Sequence, residues 1–146
     1  MADKNKRLNY LMADAVQGFT EHLGYISISM EPGHFVSRLP IKKHHLQQDG
    51  FVHAGVIATL ADHTAGYASY SLVAENLRIL TIEYKITFLK PANGEYLECR
   101  AKVIKPGKRI LIAESEVYEI KGDEENLIAK ALLTMAAVPK EKLIKT

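Results

Sequence analysis

One carboxylate, Asp62, stands among small residues in the run Val56-Ile57-Ala58-Thr59-Leu60-Ala61-Asp62-His63-Thr64-Ala65-Gly66-Tyr67-Ala68-Ser69. On a helix its neighbours three, four and seven positions away are Ala58, Thr59, Ala65, Gly66 and Ser69, with Gly55 seven positions before it. Aspartate is a poor helix-interior residue because its side chain competes for backbone groups. Glycine at 66 costs about 1 kcal/mol relative to alanine, and close approach of a ligand or another chain would offset that. The stripe predicts a shallow trough with a carboxylate in its floor. Such a group can act as general base on water or as a nucleophile on an activated carbonyl. The same residues also suit tight packing on a sheet or second helix, with Asp62 merely solvated. Val56, Ile57, Leu60, His63, Tyr67 and Tyr70 form the bulky opposite face in either case.

A second group precedes this stretch: Gln47-Gln48-Asp49-Gly50-Phe51-Val52-His53-Ala54-Gly55. The first N–H groups of a helix lack intrahelical partners and the macrodipole favours negative charge there, so a carbonyl developing into an oxyanion would be stabilised. Gly50 can equally serve a turn and His53 a cap. Lys105, Lys108 and Arg109 flank Pro106-Gly107, either as a solvated hairpin tip or as a phosphate clamp. No Gly-x-Ser-x-Gly nucleophile elbow occurs. Cys99, between Glu98 and Arg100 in a strand-like run, reads as a small buried hydrophobe. His44 and His45 are adjacent and point apart, and His53 and His63 are ten positions apart, so no zinc-like spacing arises and no metal is expected.

Positioning these residues requires a particular set of elements. Leu8, Leu11, Met12, Ala15, Val16, Phe19 and Leu23 predict an amphipathic helix over about Arg7–Leu23, stopped by Gly24. Tyr25–Met30 and Phe35–Ile41 read as a hairpin around Glu31-Pro32-Gly33-His34. Lys42–Val52 reads as loop and Ala54–Val73 as a long helix. Leu80–Leu89 alternates, placing Leu80, Ile82, Tyr84, Ile86 and Phe88 on one face and Thr81, Glu83, Lys85 and Thr87 on the other. After a turn at Lys90–Gly94 come strands Tyr96–Ile104, Ile110–Ile120 and Leu127–Val138. Pro106-Gly107 suits a type II turn with positive φ at the glycine, and the polar tail from Pro139 is expected to fray. Helices and strands are segregated, so the class is α+β: a long central helix wrapped by an antiparallel sheet of about five or six strands, after an N-terminal helix.

The 146 residues suit one domain, 1–146, with no linker or repeat. Nineteen basic against 17 acidic residues give a net charge of +2, which removes the electrostatic warrant for a nucleic-acid partner. No apolar run approaches the length a membrane helix needs, and no leader pattern is visible. A single cysteine fits a reducing compartment, so the expectation is a soluble cytoplasmic protein.

Gln47-x-x-Gly50-x-x-His53-Ala54-Gly55, followed by Leu60-Ala61-Asp62, resembles the pattern of the hot-dog-fold thioesterases of the PaaI-like and 4-hydroxybenzoyl-CoA thioesterase group. The segment Thr81–Ala92 resembles the strand after the helix in that family, and the similarity spans roughly residues 35–138. The resemblance implies an acyl-CoA or aryl-CoA thioesterase that needs no cofactor, coenzyme A being part of the substrate. Asp62 is implied as the catalytic carboxylate, base or nucleophile. Gln47, or its neighbour Gln48, orients water or thioester. The Ala54 amide polarises the carbonyl with Gly55 beside it, and Thr81 lies near the water. Gly50 and His53 belong to the substrate-binding loop, and Lys105, Lys108 and Arg109 to a clamp for the coenzyme A phosphates. A homodimer or dimer-of-dimers tetramer with active sites between subunits is implied. Ala54 departs from the family's first glycine and adds a methyl where backbone approaches substrate. Two other functions remain compatible: a non-catalytic acyl-CoA or lipid binder, and enoyl-CoA hydration or dehydration. The latter normally needs an acid–histidine pair, whereas Asp62 and His63, adjacent on a helix, diverge by about 100°.

Overall fold

The computed structural model describes residues 2–143. Its elements are α1 (Ala2–Asp14), α2 (Phe19–Leu23), β1 (Ile26–Glu31), β2 (His34–Pro40), α3 (Ala54–Tyr70), β3 (Leu77–Phe88), β4 (Tyr96–Lys105), β5 (Ile110–Lys121) and β6 (Glu124–Pro139), with short 3-10 turns at Lys43–His45 and Lys140–Lys142. The strands form one six-stranded antiparallel sheet in the order β1-β2-β4-β5-β6-β3. The sheet curls around α3, which packs on β2 through β6. This is the hot-dog arrangement. Among the described residues, no helix is long and apolar enough to cross a membrane.

Alternation drives the wrap. On β5, Leu111, Ala113, Ser115 and Val117 turn inward and are fully buried, while Glu114 and Glu116 face outward beside Lys102 and Lys130. The helix meets them with Leu60 and with Ala61, Ala65 and Ala68, the alanines small enough to let backbone approach sheet. Buried hydroxyls then fix its rotation. Thr64 Oγ1 donates to the Leu60 carbonyl at 2.7 Å and also meets Ser37 Oγ at 2.7 Å and Tyr25 OH at 3.0 Å. Ser115 Oγ donates to the Ala61 carbonyl at 2.7 Å. Leaving any of these groups unpaired would cost about 1–3 kcal/mol, so the helix cannot turn freely on the sheet.

Three sequence expectations change. The helix over Arg7–Leu23 is two helices, because α3 side chains and Thr20 capture the carbonyls that would continue it. Tyr67 OH donates to Asp14 O at 3.1 Å, His63 Nε2 to Ala15 O at 2.8 Å and Thr20 Oγ1 to Ala15 O at 2.8 Å. Gly18, at φ +58°, turns the chain between them. Gly107 has no positive φ; it is small because a Cβ there would lie 2.0 Å from the Ile110 carbonyl oxygen. Past Pro139, Lys140–Lys142 form a helical turn tied by Lys140 N–H to Asn76 O at 2.8 Å; residues 144–146 of the tail expected to fray lie outside the described residues.

His45 is wholly buried and holds the loop before α3. Its Nδ1 accepts from Lys42 N–H at 2.9 Å and its Nε2 donates to Leu23 O at 2.7 Å, a pattern only the neutral ring supports. Burial pushes the pKa of His45, and likewise of His63, below the usual 6.5. The unfolded chain therefore binds more protons than the folded one below 6.5, and stability rises with pH across that interval. Thermal denaturation should show the melting temperature falling as pH drops from about 7 to about 5, with a flatter profile in His45→Gln; a wild-type profile level over that range would contradict it.

Candidate active site

Asp62 lies on the part of α3 that the sheet does not cover. Its Oδ1 accepts a hydrogen bond from Thr81 Oγ1 at 2.6 Å, and the same hydroxyl lies 3.3 Å from Met135 Sδ. Strict alternation puts Thr81 and Tyr84 on opposite faces of β3. The pairing shows otherwise: Thr81 opposes Met135 and Glu83 opposes Thr134, leaving Ile82 as an extra residue. This bulge brings Thr81, Tyr84, Ile86 and Phe88 to the helix side, opposite the buried Met135, Leu133, Ala131 and Ala129, and sends Leu80 to the other face.

Two clefts flank the carboxylate. One, of about 410 Å³, is lined by Gln17, Phe19 and Thr20 from the α1–α2 region, Gly55, Ala58, Thr59, Asp62 and His63 of α3, and Tyr84. The other, of about 310 Å³, runs past Gly66, Tyr67 and Tyr70 to Ile79, Leu80 and Thr81. The trough expected from sequence is therefore half right. Gly55, Ala58, Thr59 and Gly66 line it, but Ala65 and Ser69 are buried against the sheet side. A Cβ at Gly66 would meet open space, so nothing among the described residues accounts for a glycine there. Residues 17–20 were missed because they sat inside the presumed long helix; Gly18 was the signal that the chain turns.

The start of α3 forms a second constellation. His53 is a cap: its Nδ1 accepts from Gly55 N–H at 2.8 Å. Gly55's amide is thus engaged, whereas the Ala54 N–H donates to no group among the described residues. It opens on a cleft of about 460 Å³ lined by Gln47, Gln48, Phe51, His53, Phe88 and Leu89 among others. Gly50, at φ +84°, closes the turn before it by donating to Gln47 O at 3.1 Å. Gln47 rather than Gln48 is half-buried here, its Oε1 accepting the Asp49 amide.

The two constellations are separate on one chain. Ala54 and Asp62 lie eight residues apart on α3, about 12 Å along the axis, beyond the reach of one carbonyl group. Lys105, Lys108 and Arg109 are exposed at the β4–β5 tip and line none of these clefts. Cys99 is fully buried with its thiol pushed up to about 12 by burial, a packing residue and not a nucleophile.

A central helix wrapped by a six-stranded antiparallel sheet defines a hot-dog protein. A thioesterase superfamily profile matches residues 49–125. A thioesterase family protein of Silicibacter pomeroyi is 34% identical, superposes with a TM-score of 0.86, and the match covers 93% of this chain and 98% of that one. A Listeria monocytogenes 1,4-dihydroxy-2-naphthoyl-CoA hydrolase is 26% identical over 127 residues, 86% of this chain and 99% of its own length. The Escherichia coli PaaI protein from the phenylacetic acid degradation operon, 22% identical with a TM-score of 0.80, shares the fold. The chain belongs to the thioesterase superfamily, a class of thioester hydrolases.

The Thr81 hydroxyl holds one oxygen of the Asp62 carboxylate, a positioning contact. Thr81→Val should lower kcat for thioester cleavage by about tenfold, the order of one lost charged hydrogen bond, while Thr81→Ser restores it. Equal kcat in Thr81→Val and wild type would remove that role.

Proposed function

We propose that this protein hydrolyses an acyl- or aryl-coenzyme A thioester to the free acid and coenzyme A at a site shared by two copies of the chain. The observation that carries the reading is the Asp62 carboxylate, held at one oxygen by Thr81 at 2.6 Å and open on two clefts. With Oδ1 committed to Thr81, Oδ2 is left for a water. Asp62 takes the proton from that water as its oxygen attacks the thioester carbon. The carbonyl oxygen becomes an oxyanion and needs an N–H donor, which the unpartnered Ala54 amide supplies. Collapse re-forms the C=O bond and expels the thiolate, a good leaving group, and the proton held by Asp62 passes to it through solvent, returning the carboxylate to its starting state.

The 12 Å or so between Ala54 and Asp62 on one helix requires these two groups to come from different chains. The exposed flank of the sheet favours that assembly. β3 is an edge strand whose outer side has no partner among the described residues, yet Leu80, Ile82, Tyr84 and Phe88 on it are exposed. Edge-to-edge pairing of two copies would bring a second α3 alongside the first, covering Tyr84 and Phe88 on the helix side and filling the space left open at Gly66. Gln47 and Gln48 then stand beside the amide donor, positioned to orient the thioester or the water.

The test is complementation. Asp62→Ala should lower kcat at least ~100-fold with the fold retained. Ala54→Pro deletes only the free donor. Proline is tolerated at the first helical position, and His53 at φ −61° and ψ 136° already has the extended backbone that precedes it. It should lower kcat by about 10²–10³-fold. Co-expressed, the two inactive chains should regain about a quarter of wild-type activity, because half of randomly mixed dimers carry one intact site. Thiol release with no recovery in the mixture would refute the shared site, and unimpaired Asp62→Ala would refute the mechanism.

A further inference from the structure

We propose that the corner joining α1 to α2 is a specificity wall: Phe19 and Gln17 bind the acyl part of the thioester, and the group they fit is a flat ring carrying a hydroxyl rather than a long alkyl chain. This deepens the thioesterase reading and rests on it. Phe19 and Gln17 form one side of the cleft of about 410 Å³ beside Asp62. The cleft on the other side of Asp62 runs past Gly66, where the second copy of α3 is placed, which leaves the Phe19 side for the acyl group.

The corner is firmly held. Thr20 Oγ1, buried beneath it, lies 2.8 Å from Ala15 O and 3.1 Å from Gln17 O. His45 Nε2 anchors the far end of α2 through Leu23 O at 2.7 Å, and His22 N–H donates to Gly18 O at 3.0 Å between these anchors. On this fixed backbone Phe19 is 63% exposed, more than any other phenylalanine of the chain. A ring left in water forgoes the free energy of burial. Tyr67 and His63 of α3, which break the helix after Asp14, put this one at the rim of the cleft that holds the carboxylate.

Gln17 supplies a polar contact. Its Nε2 donates to Asp14 O at 2.8 Å and Asp14 Oδ1 at 2.9 Å, which fixes the amide. Its Oε1 accepts from no group among the described residues and is a preset acceptor for a ligand hydroxyl. The floor is Ala58 and Thr59 of α3, with the Thr59 hydroxyl turned back to Gly55 O at 2.8 Å. A flat ring on that floor stacks on Phe19. A long alkyl chain needs a continuous apolar wall, and Gln17, His63 and Asp62 interrupt this one. Methylene groups laid over them leave polar atoms unpaired, whereas a ring hydroxyl gives Gln17 a partner.

The experiment holds the thiol constant and varies the acyl group, using hydroxybenzoyl-CoA, benzoyl-CoA and dodecanoyl-CoA. Wild type should show its highest kcat/KM on hydroxybenzoyl-CoA and its lowest on dodecanoyl-CoA. Phe19→Ala should lower the preference for ring over alkyl substrates about tenfold, as expected for a lost stacked aromatic contact, and Phe19→Tyr should retain it. Gln17→Leu should lower the preference for hydroxybenzoyl-CoA over benzoyl-CoA about fivefold, the order of one hydrogen bond. Each reading is a ratio between substrates on one variant, so a general loss of folded protein cancels. A wild type that does not favour hydroxybenzoyl-CoA overturns the proposal, as do variants that slow all three substrates alike or none. If wild type cleaves none of the three, the thioesterase reading has failed, and calorimetric titration with hydroxybenzoate then tests the wall by itself. Weaker binding in Phe19→Ala and Gln17→Leu supports it; equal binding or none overturns it.

Discussion

A helix wrapped by a curved sheet keeps only one free face, and everything this protein can do on α3 must be done there. The wrap depends on Ala61, Ala65 and Ala68 letting the helix lie close to β4 and β5, and on Thr64 and Ser115 pinning its rotation through buried hydroxyls. With rotation fixed, Asp62 can point only toward the gap between α2 and β3. The carboxylate's position is thus set by residues on the far side of the helix from it. A core substitution at Thr64 or Ser115 would disturb the site without touching it.

Around that constraint, the remaining parts play separable roles. α1 and α2 are broken apart by side chains of α3 itself, Tyr67 and His63, so the helix that carries the carboxylate also shapes the wall opposite. The loop before α3 is anchored from beneath by neutral His45 and capped at its end by His53. These two histidines explain how a run of polar residues becomes a defined platform for one unpaired amide. His45, His53 and His63 need no chemical role to account for their places.

The sequence was legible where a signal is local. Six strands, the central helix, the lone carboxylate and the cap-like start of α3 all follow from periodicity, turn residues and the glycine-rich approach. What escaped it was set by tertiary contacts. The amphipathic pattern from Arg7 to Leu23 carries no record of Tyr67 and Thr20 competing for its carbonyls. Alternation on β3 cannot show an added residue at Ile82, so Leu80 was assigned to the wrong face. Helical spacing grouped Ala65 and Ser69 with Gly66, although the sheet covers the first two and not the third. Gly107 was assigned a turn geometry when its actual constraint is the nearby Ile110 carbonyl.

The extra residue in β3 also bears on how this chain can change over time. Because the strand's two halves are out of phase by one position, the partnership of Thr81 with Asp62 depends on how many residues lie between them and the paired segment beyond, more than on what Ile82 is. Side chains at that position are free to drift. Loss of a single codon there would swap the faces of half the strand, turning Thr81 outward and uncoupling the carboxylate while leaving the sheet intact.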